Sequence, residues 1–158
     1  MIIIGLGNPG KKYEHNRHNV GFMVLDALGV PFEDEKYSSA LVASYEGMHL
    51  VKPQTFMNDS GQTARHFKDD EIVVVYDDID IPLGTVKCSF DRGAGGHNGV
   101  QSIIDHLGTT AFARIRVGVR PVHEELLPRI APPDGFEKFL LSDFAPIEQD
   151  LKEQGIKK

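Results

Sequence analysis

The chain of 158 residues has a single cysteine, Cys88. No internal disulfide can staple the fold, and nothing points to an oxidising compartment. No apolar run approaches the roughly 20 residues of a membrane span. The opening Met1-Ile2-Ile3-Ile4 is too short for a signal peptide and lacks its basic flank. Internal repeats and low-complexity stretches are missing. So is a G-x-S-x-G elbow to expose a nucleophilic serine, which leaves activated water as the route for any hydrolysis. His15/His18 and Asp77/Asp80 do not form a recognised ligand pattern such as H-E-x-x-H, and Cys88 stands alone. The expectation is a cytoplasmic protein with no metal, no cofactor and no membrane contact.

What is present is ordinary in bulk. Apolar residues make up 41% and charged residues 25%, the range of a soluble globular protein. The length suits one domain, 1–158, with a real core. The net charge of −6 argues against holding nucleic acid by bulk attraction. The charge is unevenly spread, however. Residues 87–120 carry Lys87, Arg92, Arg114, Arg116 and Arg120 against only Asp91 and Asp105, a net-positive stretch in an acidic chain. That pattern fits one small polyanionic contact better than a long duplex. Scattered solvated arginines would give the same count.

Periodicity orders the elements. Residues 1–6 read as a short buried strand ended by glycine. From Asn16 to Leu28, Val20, Met23, Val24, Ala27 and Leu28 recur at helical spacing, with Gly29 as the stop. Residues 37–45 and 48–52 read as a hairpin around Glu46-Gly47. Ser60–Phe67 makes a short helix capped by Asn58, Asp59 or Ser60. Ile72–Tyr76 is a strand covered on both faces, and Asp77–Gly84 leaves it as a turn. Thr85–Phe90 is a strand, Asp91–Gly96 a loop, and Val100–Leu107 a helix. Ala113–Val119 alternates as a half-exposed strand. Pro121–Gly135, with four prolines, reads as a loop, a lid in prospect. Phe136–Leu141 and Ala145–Gly155 give short terminal helices within a segment spanning 136–158. Interleaved helices and strands with one hairpin fit an α/β fold, a three-layer αβα sandwich with a twisted mixed sheet.

Chemistry-bearing residues cluster where elements meet. Gly5-Leu6-Gly7-Asn8-Pro9-Gly10 satisfies G-x-G-x-x-G after a strand. A dinucleotide site also needs a helix starting inside the motif and an acidic residue about twenty positions on, at a second strand's end. Pro9, Lys11, Lys12 and Tyr13 intervene, and Asp26 lies within the helical segment, so the fingerprint is incomplete. His18 starts that segment beside Asn19. Asp77, after a buried strand, is well placed to accept from one ring nitrogen, fix the tautomer and leave the other nitrogen to take a proton. The bland alternative for His18 is a surface or capping histidine. Asn8, Asn58 and Asn98 each follow an apolar or glycine-rich stretch. Carboxamides can grip a peptide backbone or donate to an oxyanion, and asparagine equally favours turns and helix starts.

With those residues in hand, the sequence resembles the bacterial-type peptidyl-tRNA hydrolases. The matching segments are GLGNPGKKYEHNRHNVGF at 5–22, KPQTFMNDSG at 52–61, VVYDDIDIPLGTVK at 74–87, GAGGHNGVQSII at 93–104 and FARIRVGVRP at 112–121. A looser echo runs over 139–144. The resemblance implies cleavage of the ester joining a peptide to the terminal ribose of tRNA, without metal, by a monomer. It implies His18 as the base that activates water and Asp77 as its orienting partner. Asn8 would sense the blocked peptide end, and Asn58 and Asn98 would hold the substrate. Tyr13 and Phe56 would line the tRNA-end side, Met57 and His97 would complete the wall, and Arg116 would be a basic tRNA contact. The chain departs from the family at Ser89, where a lysine is usual, and at Gln101, where some relatives have lysine.

Overall fold

A computed structural model describes residues 1–122, 135–144 and 148–156. Seven strands form one sheet in the order β2-β3-β4-β1-β5-β7-β6. The strands are β1 (Ile2–Gly5), β2 (Glu33–Glu35), β3 (Ala40–Tyr45), β4 (Met48–Pro53), β5 (Ile72–Pro82), β6 (Val86–Phe90) and β7 (Ala113–Arg120). β1 runs parallel to β4 and β5, and β5 parallel to β7. The pairs β2/β3, β3/β4 and β6/β7 are antiparallel. The sheet is therefore mixed, as its hairpin requires. Glu46 and Gly47 both take positive φ, 48° and 80°, the two-residue turn whose twist matches the flanking strands.

Among the described residues, five α-helices accompany the sheet: α1 (Val20–Asp26), α2 (Ser60–Ala64), α3 (Asn98–Leu107), α4 (Gly135–Leu140) and α5 (Gln149–Ile156). Ile2, Ile4, Val74 and Tyr76 share one apolar cluster with Ala64, Val100 and Ile103 of α2 and α3. Val75, Val117 and Val119 share another with Val20 of α1, Phe144 and Ile156. Alternate residues of the central strands thus feed opposite faces, which produces the three layers. Each fully buried aliphatic such as Ile4 or Ile103 contributes about 1.5–3 kcal/mol.

Several expectations need correction. Residues 77–82 are not a turn: β5 continues to Pro82, because β7 extends the ladder through Asp77↔Val117 and Asp78↔Gly118 before the register shifts. The helix expected over 60–67 has no side-chain cap at Asp59. The Ser60 hydroxyl donates instead to Met57 O, and the last turn, Arg65–Phe67, tightens to 3-10. β2, all acidic, was not expected; it blunts one sheet edge with charge. β7 is not half-exposed, since Arg114 is buried and its guanidinium donates to the carbonyls of Thr110, Phe112 and Arg92. After the glycine motif come only two short 3-10 turns, Lys11–Tyr13 and Arg17–Asn19, and α1 starts at Val20, so no α-helix starts inside the motif and the dinucleotide geometry is not met. Of the loop at 121–135, residues 123–134 lie outside the described residues, as do 145–147 of the last expected helix.

Candidate active site

Helix α1 reaches the strand ends because nothing but glycine stands between them. A Cβ on Gly21 would lie 2.4 Å from both Leu6 N and Val75 O, and one on Gly5 would lie 2.5 Å from Gly21 O. That contact sets the 3-10 turn carrying His18 over the middle of β5, against Asp77.

His18 Nδ1 lies 2.8 Å from Asp77 Oδ1, and His97 Nε2 lies 2.9 Å from the same oxygen. Burial works against a charge on Asp77. The His18 and His97 rings, by charge and by hydrogen bond, outweigh that burial and hold the carboxyl well below the usual carboxylate range. An ionised carboxylate can only accept, so both nitrogens facing it carry their protons. His97 is fixed a second time: its Nδ1 accepts Val100 N–H at 3.3 Å, as the N-cap of α3. A neutral His18 in this arrangement has its lone pair on Nε2. The two rings lie 4.9 Å apart, and Tyr76 meets His97 edge-on at 4.9 Å.

These three residues also offer nitrogen and oxygen atoms within 4.8 Å of one another, the spacing of a conceivable cation site. A metal ligand must present a lone pair. Here both nitrogens present N–H to the carboxylate, so the trio forms a hydrogen-bonded relay.

In front of the relay opens a cavity of about 530 Å³. Eight of the residues singled out in the sequence line it: Asn8, Tyr13, His18, Phe56, Met57, Asn58, His97 and Asn98. Asp77 lies behind His18, on an adjoining chamber of about 320 Å³ that shares Gly96, His97 and Leu140 with the first. Arg116 lines neither chamber. Its Nη1 donates to Asp78 Oδ2 at 3.0 Å, with both side chains mostly buried.

Asn8 is held from three sides. Its Oδ1 accepts Met57 N–H at 2.8 Å, which leaves the Nδ2 amide as the donor for the cavity. Asn19 then clasps its backbone: Asn8 N–H donates to Asn19 Oδ1 at 2.9 Å, and Asn19 Nδ2 donates to Asn8 O at 2.8 Å. Asn58 and Asn98 are exposed, on the turn before α2 and at the first residue of α3. Tyr13 and Phe56 meet edge-to-face at 6.3 Å on one wall.

Sequence reasoning missed three things here. It placed His97 in the wall, which His97 does line, without its bond to Asp77. It took no account of Asn19 as the clasp of Asn8. It did not include Leu140 and Leu141, which line the cavity, although the echo over 139–144 was their signal.

A family model described as peptidyl-tRNA hydrolase matches residues 2–158. A peptidyl-tRNA hydrolase of Shouchella clausii is 48% identical over 139 residues, covering 78% of this chain and 75% of that protein. One from Listeria monocytogenes is 44% identical over 162 residues, covering 94% and 82%. A crystal structure of peptidyl-tRNA hydrolase from Acinetobacter baumannii superposes with a TM-score of 0.81 at 28% identity, over 99% of this chain and 82% of that one. With identity at this level over most of both sequences, the chain belongs to the peptidyl-tRNA hydrolase family.

Proposed function

We propose that the protein hydrolyses the ester between a peptide and the terminal ribose of tRNA, acting as a monomer in the cytoplasm, with His18 as general base. The observation that carries the mechanism is the 2.8 Å approach of His18 Nδ1 to a buried, ionised Asp77 at the wall of a 530 Å³ cavity. His18 Nε2 takes a proton from water as the water oxygen attacks the ester carbonyl. The imidazolium so formed is stabilised by Asp77, and general-base assistance of this kind contributes about 10²–10⁴-fold, or about 3–5 kcal/mol of barrier. The carbonyl oxygen becomes an oxyanion, and the Asn8 Nδ2 amide, locked by Met57 N–H, is a preorganised donor for it. Collapse breaks the bond to the ribose oxygen, which takes the proton from the His18 imidazolium and leaves as the hydroxyl. Atoms and charge balance without a covalent enzyme intermediate.

Asn58 and Asn98 flank the same cavity and hold the peptide side; Tyr13 and Phe56 supply aromatic faces for the tRNA end. Among the described residues, no helix is long and apolar enough to cross a membrane.

The test is turnover of an N-blocked aminoacyl-tRNA, with unblocked aminoacyl-tRNA and a blocked peptide amide as controls. The blocked tRNA ester should be cleaved and the amide spared. His18→Ala should lose at least ~100-fold in kcat with its melting temperature nearly unchanged. Near-normal turnover by His18→Ala would overturn the mechanism. A protein that binds the acceptor end but releases no peptide would overturn the activity.

A further inference from the structure

The residue before the base shares with Arg114 the place of largest fully buried side chain among the described residues, and it is charged. Arg17 has no exposed surface, and neither does Glu148, the carboxylate that its Nη2 contacts. The mechanism uses neither. Buried charges of this kind are costly, and an ion pair in the interior stabilises little relative to apolar side chains of the same volume. What such a pair supplies is geometry.

The geometry here is specific. Arg17 Nη1 donates to Ser142 O at 3.0 Å, to Ser142 Oγ at 2.8 Å and to Asp143 O at 2.6 Å. Ser142 Oγ in turn donates to Phe139 O at 2.7 Å. The guanidinium lies 4.0 Å over the Phe139 ring and 5.1 Å from that of Phe144. The backbone joins in: Arg17 N–H donates to Ser142 O at 3.2 Å, and Asn16 Nδ2 donates to Asp143 Oδ1 at 2.7 Å. Phe139 and Ser142 are the two residues that bracket Leu140 and Leu141. Both flanks of the leucine pair are therefore gripped by the side chain adjacent to His18. Leu140 and Leu141 line the His18 cavity, and Leu140 also lines the chamber on which Asp77 sits.

We propose that Arg17 is a positioning residue for the hydrolysis, its buried pair with Glu148 fixing the 139–144 segment so that Leu140 and Leu141 wall the cavity against water beside His18. A lysine keeps the charge opposite Glu148 but has one nitrogen for acceptors that the planar fork serves together. Screening of the relay from solvent strengthens every electrostatic contact within it. The proposal rests on His18 being the base, and the experiment separates the two.

The experiment is a cycle on kcat/KM, measured per folded molecule with folding checked by near-ultraviolet circular dichroism and melting. Arg17→Lys, and Arg17→Met combined with Glu148→Leu, are each placed in the native background and in Leu140→Ala/Leu141→Ala. Replacing both charges together avoids leaving either one buried alone. In the native background each should lose about tenfold, since a small misplacement near the reacting atoms is felt strongly. In the background without the leucines the further loss should be under about twofold, because the arginine acts through them. Equal losses in both backgrounds overturn the proposal. So does wild-type turnover by the Arg17→Met/Glu148→Leu protein or by Leu140→Ala/Leu141→Ala. His18→Ala is run alongside: its retained activity would remove the base assignment, whereas its inactivity with an additive cycle removes only the role of Arg17.

Discussion

At Asp77, one carboxylate oxygen accepts from two imidazoles, and this sharing fixes both tautomers at once. An amide at position 77 would break the logic, because its NH₂ can donate to His18 Nδ1 and move the ring proton to Nε2, where the base needs a lone pair. Asp77→Asn should therefore lower kcat by about 10²–10⁴-fold with a smaller change in KM, read from steady-state kinetics on a blocked aminoacyl-tRNA. The same substitution has a signature in stability. The folded carboxyl titrates below its ordinary value of 3.8, so the unfolded chain binds the proton first as pH falls. The contribution of Asp77 is fully present above that value and is lost on acidification below it. Between about pH 4 and pH 2 the wild type should lose stability more steeply than Asp77→Asn, by up to about 1.4 kcal/mol per pH unit. Urea melts of both proteins across that range check the sign; parallel slopes would contradict it. His18 and Asp77 were legible in the sequence because one opens an apolar-periodic segment and the other directly follows the apolar run Ile72–Tyr76. The attachment of His97 to Asp77 was not legible, since it depends on where α3 meets the end of β5. Arg17 gave no local signal either; its partner Glu148 is 131 residues away in the chain.

Elements explain why those residues meet. The spacing of Val20, Met23 and Val24 gave the helix, and Glu46-Gly47 gave the hairpin, because both follow from local rules. The continuation of β5 through Asp77 to Pro82 violates a local rule: Asp-Asp-Ile-Asp reads as a turn. Pairing with β7 overrides it, and the override is what fixes Asp77 on a rigid strand rather than on a loop. Burial of Arg114 likewise came from packing of the 90–97 loop and strand β7, which no alternation pattern encodes. The close seat of α1 is the feature most exposed to a test. A methyl group on Gly21 would meet the backbone of Leu6, just past β1, and of Val75 in β5 at 2.4 Å, and that hydrogen-bonded backbone cannot yield as a side chain tip can. Gly21→Ala should destabilise by about 3 kcal/mol. It should also reduce kcat in whatever protein remains folded, by lifting His18 from Asp77. A melting curve with a kinetic assay checks both; a native-like Tm would overturn the close seating of α1.

Across the whole molecule, the question is how a chain of net charge −6 approaches a polyanion. The stretch 87–120 supplies the cations, but the fold withdraws two of them. Arg114 is buried against carbonyls, and Arg116 is neutralised by Asp78 at 3.0 Å. Lys87, Arg92 and Arg120 remain exposed, and Arg92 stands on the chamber that adjoins the relay. Counting charges along the sequence weighs all five cations alike, whereas partner and burial decide how much charge each side chain presents. Removing Lys87 and Arg92 together should weaken tRNA binding uniformly. The dependence of log K on log salt should become shallower by about 0.7–0.9 per charge removed. Arg116→Ala should flatten it less, since Asp78 already cancels much of that charge, and should expose Asp78 as a new repulsive group instead. Binding of deacylated tRNA measured from low to physiological salt separates the two cases. A larger change in slope for Arg116→Ala than for either exposed cation would mean that substrate breaks the Asp78 pair on docking and uses the arginine itself.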